Sequence, residues 1–348
     1  MKIGIMTWYF AFNYGARAHS MALYQVLREM GHDVEFVNYP SNRSLRMAVG
    51  TCSQFENRKK HPLIFARCMW KMLKFYIQRS EYKTSRMVKT AEEIDNLGYD
   101  LIILGSDEVL NQKHKLYNDL YYGVGIKTPK MMYATSAGVV SPETKLNQQI
   151  QVSLHELKGI GVRDITTEKL IENNVGIQPQ LVLDPTFLYS FPEKTRKHAE
   201  AYVLVYSFGL LNEYASQICA YAAQKGLKVY CVGRMCKWAD RSFISSDLNE
   251  WLELYQHAEL IVTDSYHGYI FALKNQKNYV LIKRSDKSNK IDGLIAYLEI
   301  SKGYFDPKSD LKQYLKEPID YSALEKNINC RKRESFQYLA DSISKVGI

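Results

Sequence analysis

The sequence predicts an α/β protein of two Rossmann-like domains facing each other across a cleft, and three observations predict it. Apolar runs rich in β-branched residues alternate with helix-period segments along most of the chain. The runs are continuous, as in strands buried on both faces of a parallel sheet. They form two series, separated by the polar stretch "SFPEKTRKHAE", Ser190 to Glu200. Two consecutive βα series imply two such domains: residues 1–190, then 200–310, with a charged helical tail over 311–348 that can pack back across them.

Each element has its own signal. "KIGIMT" (Lys2 to Thr7) reads as the first strand, followed by the turn "FNYG". Leu23, Val26, Leu27 and Met30 then recur at helix spacing from Ala16 onward, and Gly31 closes that helix. "DVEFVNY" alternates as the second strand. "YDLIILGSD", "KMMYATSA", "GIGVRD" and "QLVLDPT" (Gln180 to Thr186) complete the first series. The second series runs "AYVLVYSF", a helix from Asn212 to Lys225, "LKVYCVG", and a helix around Asn249 to His257. "ELIVTD", a helix from Tyr269 and "YVLIK" finish it. No GxGxxG follows the first strand, so the dinucleotide fingerprint is absent.

Composition narrows the class. The chain of 348 residues, 46% hydrophobic and 24% charged, has the balance of a globular enzyme. No apolar run approaches the roughly twenty residues that span a bilayer, and the N-terminus lacks the cleavage pattern of a signal peptide. Six cysteines without CxxC spacing fit reduced thiols in a cytoplasmic protein. No cluster of diagnostic spacing points to a metal. The net charge of +9 traces to Asn57–Lys89, which holds ten Lys or Arg against the single acid Glu81. Apolar residues interleave with these cations, as in a helix lying on an anionic membrane. The plainer reading is a helix packed on its own domain with a solvated basic rim. No nucleic-acid module accompanies the patch, so a nucleic-acid partner is not expected.

Chemistry concentrates at strand ends, where open α/β sheets bind ligands. Asn13, Tyr14, Gly15 and Arg17 open the first helix, and Gly15 lets backbone N–H groups approach a ligand. Gly105, Ser106, Asp107 and Asn111 follow another strand; Arg163 ends the next. Asp184 precedes Pro185 and reads as a turn-shaping residue. In the second series "DSYHG" supplies Asp264, Ser265, His267 and Gly268. The bland alternatives are a surface ion pair of Arg163 with Asp164, helix capping by Asp264 or Ser265, and a loop cap at Asn111.

These segments, in order, resemble the polysaccharide pyruvyl transferases: "NYGA" at Asn13–Ala16, "GSD" with Asn111, "VRD" at Val162–Asp164, "LDPT" at Leu183–Thr186, and "DSYHG" at Asp264–Gly268. Each motif alone is weak, while the ordered set over about residues 3 to 283 is specific. The resemblance implies a glycosyltransferase-B-like architecture. It also implies transfer of a pyruvyl group from phosphoenolpyruvate to a saccharide precursor of a capsule or exopolysaccharide, forming a ketal and needing no cofactor. Under it Arg163, Ser265, His267 and Gly268 bind the donor, and His267, Asp107 and Asp264 supply acid, base or hydroxyl ligands. Asn13, Tyr14, Gly15, Arg17, Ser106 and Asn111 belong to the acceptor side or the backbone loops. Arg163 and His267 are then expected to line one anion pocket. Branches of the family carry arginine two positions before the motif histidine, where this chain has Ser265. The phosphate's cation must then come from Arg163, Arg17, Arg234, Lys283 or Arg284. If the acceptor is lipid-linked, the basic segment would hold the enzyme at the cytoplasmic membrane face. A nucleotide-sugar glycosyltransferase of the same architecture and a non-catalytic saccharide-binding protein are the competing readings.

Overall fold

Continuous apolar runs bury both faces of a strand, and here they build two all-parallel sheets. The computed structural model describes residues 1–39, 46, 49–50, 61–209, 211–284 and 289–346. Among these, one sheet has seven strands: β1 (Lys2–Met6), β2 (Asp33–Asn38), β3 (Thr84–Met87), β4 (Leu101–Leu104), β5 (Lys130–Thr135), β6 (Ile160–Val162) and β7 (Gln180–Leu181). Their spatial order is β3-β2-β1-β4-β5-β6-β7. The other has β8 (Tyr202–Tyr206), β9 (Lys228–Val232), β10 (Arg241–Phe243), β11 (Leu260–Thr263) and β12 (Asn278–Leu281), ordered β10-β9-β8-β11-β12. Both are doubly wound: the order runs outward one way from the first strand, then reverses to the other side. The reversals lie between β1 and β4 and between β8 and β11, the topological switch points where such sheets take ligands.

The expected elements largely form, with ends shifted by one to three residues: most strands are trimmed, while the helices expected from Ala16 and Tyr269 start earlier, at Tyr14 and Tyr266. Two strands were not expected. β3 and β10 are sheet edges whose sequences, "TSRM" and "RSF", carry too little apolar pattern to announce a strand. "QLVLDPT" shortens to β7, because Asp184 caps a helical turn over Pro185–Leu188 through the Thr186 N–H at 3.0 Å.

The chain divides into two compact units that correct the expected boundaries: Met1–Val49, Gln78–Ser190 and Asn327–Ile348 form one, and Gly50–Ile77 with Phe191–Lys326 the other. The predicted linker does mark the change at Ser190. The basic segment splits, however, and Asn57–Lys60 lies outside the described residues. The helix Pro62–Ile77 belongs to the second unit, where it buries Cys68, Met72 and Phe75 and where Lys74 Nζ pairs with both oxygens of Glu250 at 2.8 Å. The tail splits too. Its helix Tyr321–Ser344 starts in the second unit and ends in the first. There Tyr338 donates to the Met132 carbonyl at 2.7 Å, and the Leu183 N–H donates to Ser335 Oγ at 2.9 Å.

Candidate functional site

At the β1/β4 switch point the two strand ends are tied together. Thr7 Oγ1, just past β1, donates to the Ser106 carbonyl just past β4 at 3.0 Å. Gly105 has φ +110°, and a Cβ there would lie 2.6 Å from both the Thr135 side chain and the Tyr133 carbonyl, so only glycine passes the chain this close to β5. Asp107 follows at φ +78°, a left-handed conformation that costs a non-glycine residue about 1 kcal/mol or more. Its backbone carbonyl is anchored by the Ser136 N–H at 2.9 Å.

That conformation aims the Asp107 carboxylate into a chain of polar groups. One oxygen accepts from Arg163 Nη2 at 2.7 Å, and the other lies 3.2 Å from Nε2 of His19. Nδ1 of His19 is 2.7 Å from the Ser106 hydroxyl. Arg163 Nη1 donates at 2.7 Å to Asp184, whose second oxygen accepts from the Thr186 hydroxyl at 2.7 Å. Ser106, His19, Arg163, Asp184 and Thr186 are fully or nearly fully buried, while Asp107 reaches solvent.

This geometry revises two expectations. Arg163 is buried and clasped by two carboxylates, so it is neither a surface partner of Asp164 nor a bare cation awaiting an anion. Asp164 instead caps the helix Ile165–Val175 through the Thr167 N–H at 2.8 Å. Arg163 therefore positions Asp107. His19 carries no motif and was invisible in sequence; only the folded helix Tyr14–Glu29 brings it to Asp107.

The remaining expected residues of this unit are mostly framework. Asn13 caps the helix Tyr14–Glu29 by accepting from the Ala16 N–H at 3.1 Å. Tyr14 and Gly15 are buried in its first turn. Arg17 is buried with its guanidinium 5.9 Å from the centre of the Tyr82 ring, and burial pushes its pKa down to about 10. Asn111 braces its own loop, donating to Glu108 at 3.0 Å and accepting from the Lys113 N–H at 3.1 Å.

The β8/β11 switch point is built on the same logic. Thr263 Oγ1 on β11 donates to the Tyr206 carbonyl on β8 at 2.7 Å. Asp264 then accepts from the Ser207 hydroxyl at 2.7 Å and from the Phe208 and Gly209 N–H groups at 2.9 Å each. Its carboxylate thus fixes the loop after β8. Ser265, rather than Asp264, caps the helix Tyr266–Lys274. A Cβ on Gly268 would lie 2.2 Å from Thr263 Oγ1, so glycine is needed where this helix crosses its strand. His267 stands in the first turn of that helix, 8% exposed, edge-on to Tyr266 with ring centroids 5.3 Å apart. Two of the candidate cations join the same loop. Arg234 Nη1 donates to the Phe208 and Gly209 carbonyls at 3.0 and 2.7 Å, and the Arg284 guanidinium lies 6.0 Å from the centre of the Phe208 ring. Lys283 is engaged elsewhere, 5.1 Å from the Tyr304 ring. Among the described residues, no group of three or more His, Cys, Asp or Glu is arranged to hold a metal ion.

Two doubly wound sheets, each with a fixed carboxylate at its switch point, give the chain a glycosyltransferase-B-like fold. The chain is similar over 98% of its length, and 100% of the other's, to UDP-GlcNAc 2-epimerase from Neisseria meningitidis bound to UDP-GlcNAc, at 8% identity and TM-score 0.54. It is similar over 100% of its length, and 97% of the other's, to UDP-N-acetylglucosamine 2-epimerase from Rickettsia bellii, at 10% identity and TM-score 0.52. At these identities the likeness is one of fold. No curated protein matches the sequence significantly. The chain belongs to the polysaccharide pyruvyl transferase family, whose pattern it matches over residues 13–286.

Proposed function

We propose that the enzyme transfers a pyruvyl group from phosphoenolpyruvate to two hydroxyls of a saccharide precursor of a capsule or exopolysaccharide, forming a ketal and releasing phosphate. Family membership supports the reaction class. The observation that carries the donor is the loop after β8, where Arg234 Nη1 holds the Phe208 and Gly209 carbonyls and the Arg284 guanidinium lies over the Phe208 ring, in the same unit as the helix that starts at Tyr266 and His267. Guanidinium groups, an imidazole and the N–H groups of a helix start are the chemistry that holds a phosphate beside a carboxylate.

The reaction makes four demands. A proton must reach the donor's methylene carbon, while a sugar hydroxyl bonds to C2 and surrenders its own proton. The C2–O bond to phosphate then breaks, and a second hydroxyl closes the ketal at C2 as its proton leaves. His267 suits the acid because its ordinary pKa lies near physiological pH. Asp107, oriented by His19 and Arg163, serves as the base on the acceptor hydroxyl. Asp264 holds the donor loop in shape, and Ser265 and Gly268 set the helix start that receives the phosphate. The reading assigns no metal and no cofactor beyond the donor. It places the enzyme in the cytoplasm, and at the membrane's inner face where the acceptor is carried on a lipid.

Thermal denaturation with added ligand tests the donor. At a concentration one hundred times its Kd, phosphoenolpyruvate should add about 2.7 kcal/mol of stability and raise the melting temperature by several degrees. His267→Ala and Arg234→Ala should each abolish that rise. Stabilisation by UDP or GDP sugars, with none by phosphoenolpyruvate, would replace this reading with a nucleotide-sugar glycosyltransferase.

A further inference from the structure

The helix Pro62–Ile77 presents two unlike faces. Cys68, Lys71, Met72 and Phe75 are packed inward. Leu63, Met69, Trp70, Leu73, Tyr76 and Ile77 are all exposed, Leu63 at 77% and Trp70 at 53%. At 100° per residue these six fall in one arc of about 140°. Half of the large hydrophobic side chains exposed among the described residues therefore lie on a single helix, a concentration that soluble surfaces avoid unless it has a use.

Cations edge this arc. Arg67 and Lys74 project from its border and line a cavity of about 640 Å³ in the second unit, together with Lys197, Lys237 and Arg241. Three acids share the cavity, and all are engaged: Glu250 by Lys74, Glu253 by the Lys197 N–H at 2.8 Å, and Asp240 by the Val229 N–H at 2.7 Å. The remaining surface is positive beside the apolar arc. No described helix is long and apolar enough to cross a bilayer.

We propose that this helix is a membrane-surface anchor, its apolar arc set among the headgroups of an anionic leaflet and its basic flank against their phosphates. An interfacial helix has this division of faces, with aromatic residues at the water boundary. A second copy of the chain is the poorer occupant, because a two-fold pair would bring the same basic flank against itself. The anchor adds a surface to the reading given above and operates whether or not the group transferred is pyruvyl.

Vesicle flotation of the full-length enzyme tests it. The protein should float with phosphatidylcholine–phosphatidylglycerol vesicles and at least tenfold less with phosphatidylcholine alone, and added salt should release it. Combined Trp70→Ser, Leu73→Ser and Ile77→Ser changes should cut binding at least tenfold while leaving the melting temperature, and turnover on a soluble acceptor, unchanged. In the wild type, brominated acyl chains should quench tryptophan fluorescence, and Trp70→Phe should float normally but lose the quenching. This arm stands even if the triple variant misfolds. Absence of flotation, flotation undiminished in a folded triple variant, or quenching that survives Trp70→Phe would each overturn the anchor. A concentration-dependent dimer abolished by the same changes would do so too, and would make the face a self-interface. A failure of pyruvyl transfer in turnover assays would leave the flotation result untouched.

Discussion

Arg163 shows how little a residue's sequence neighbours say about its role. Its partners Asp107 and Asp184 lie 56 and 21 positions away, so no local pattern could pair them. Removing one partner of a buried ion pair typically costs about 3–5 kcal/mol, and Arg163→Ala should approach that figure in urea unfolding. Arg163→Lys should recover little of it, because one shorter-reaching nitrogen cannot occupy the two positions from which Nη1 and Nη2 each meet a carboxylate at 2.7 Å. His19→Asn should leave phosphoenolpyruvate binding intact while lowering kcat and displacing the pH optimum, the sign of a group that orients Asp107. A different residue-scale prediction concerns Cys236. A hydrogen bond with Cys231 draws its thiol pKa down to about 7 and pushes that of Cys231 up. Above pH 7 the thiolate dominates, so alkylation by iodoacetamide should rise through about pH 7 and level off beyond it. In Cys231→Ala the midpoint should move up toward the ordinary value of about 8.5, as read by mass spectrometry of the modified peptide.

Most elements were legible because a strand buried on both faces must be apolar throughout. "LIIL" on β4 and "LIVT" on β11 have no other sensible fate. Edge strands lack that compulsion: β3 buries only Ser85, and β10 buries none of its three residues, so both were passed over. The strand-end motifs were readable as places of chemistry, since glycine and small polar residues interrupt the apolar runs there. Which of these residues act and which brace them was not readable, because that depends on hydrogen bonds between distant strand ends. Gly268 illustrates the bracing. Forcing a methyl group against Thr263 Oγ1 should shift helix Tyr266–Lys274 off β11 at a cost on the order of 1–3 kcal/mol. Gly268→Ala should therefore unfold at lower urea and lose phosphoenolpyruvate stabilisation together.

At the scale of the whole molecule, the two-series reading found both sheets but not how the chain is shared between them. A sequence displays order along the chain, whereas unit membership depends on what each face buries. Helix Pro62–Ile77 follows β2 in sequence and yet packs with the second unit through Cys68, Met72, Phe75 and the Lys74–Glu250 pair. The last helix closes the first unit with Leu339, which is fully buried. Leu339→Ala should cost about 2–5 kcal/mol, and hydrogen exchange should show the loss as faster opening of β5 and β6.

That closing helix also sets a timetable. Strands β1 to β7 leave the ribosome long before residues 327–348, and the larger segment of the second unit, Phe191–Lys326, is translated in the interval. Until then Tyr338 is not there to cover Met132 and Gly161. Domains usually mature in the order of their synthesis; here the one begun first is finished last, and its unfinished flank is what a chaperone would have to guard.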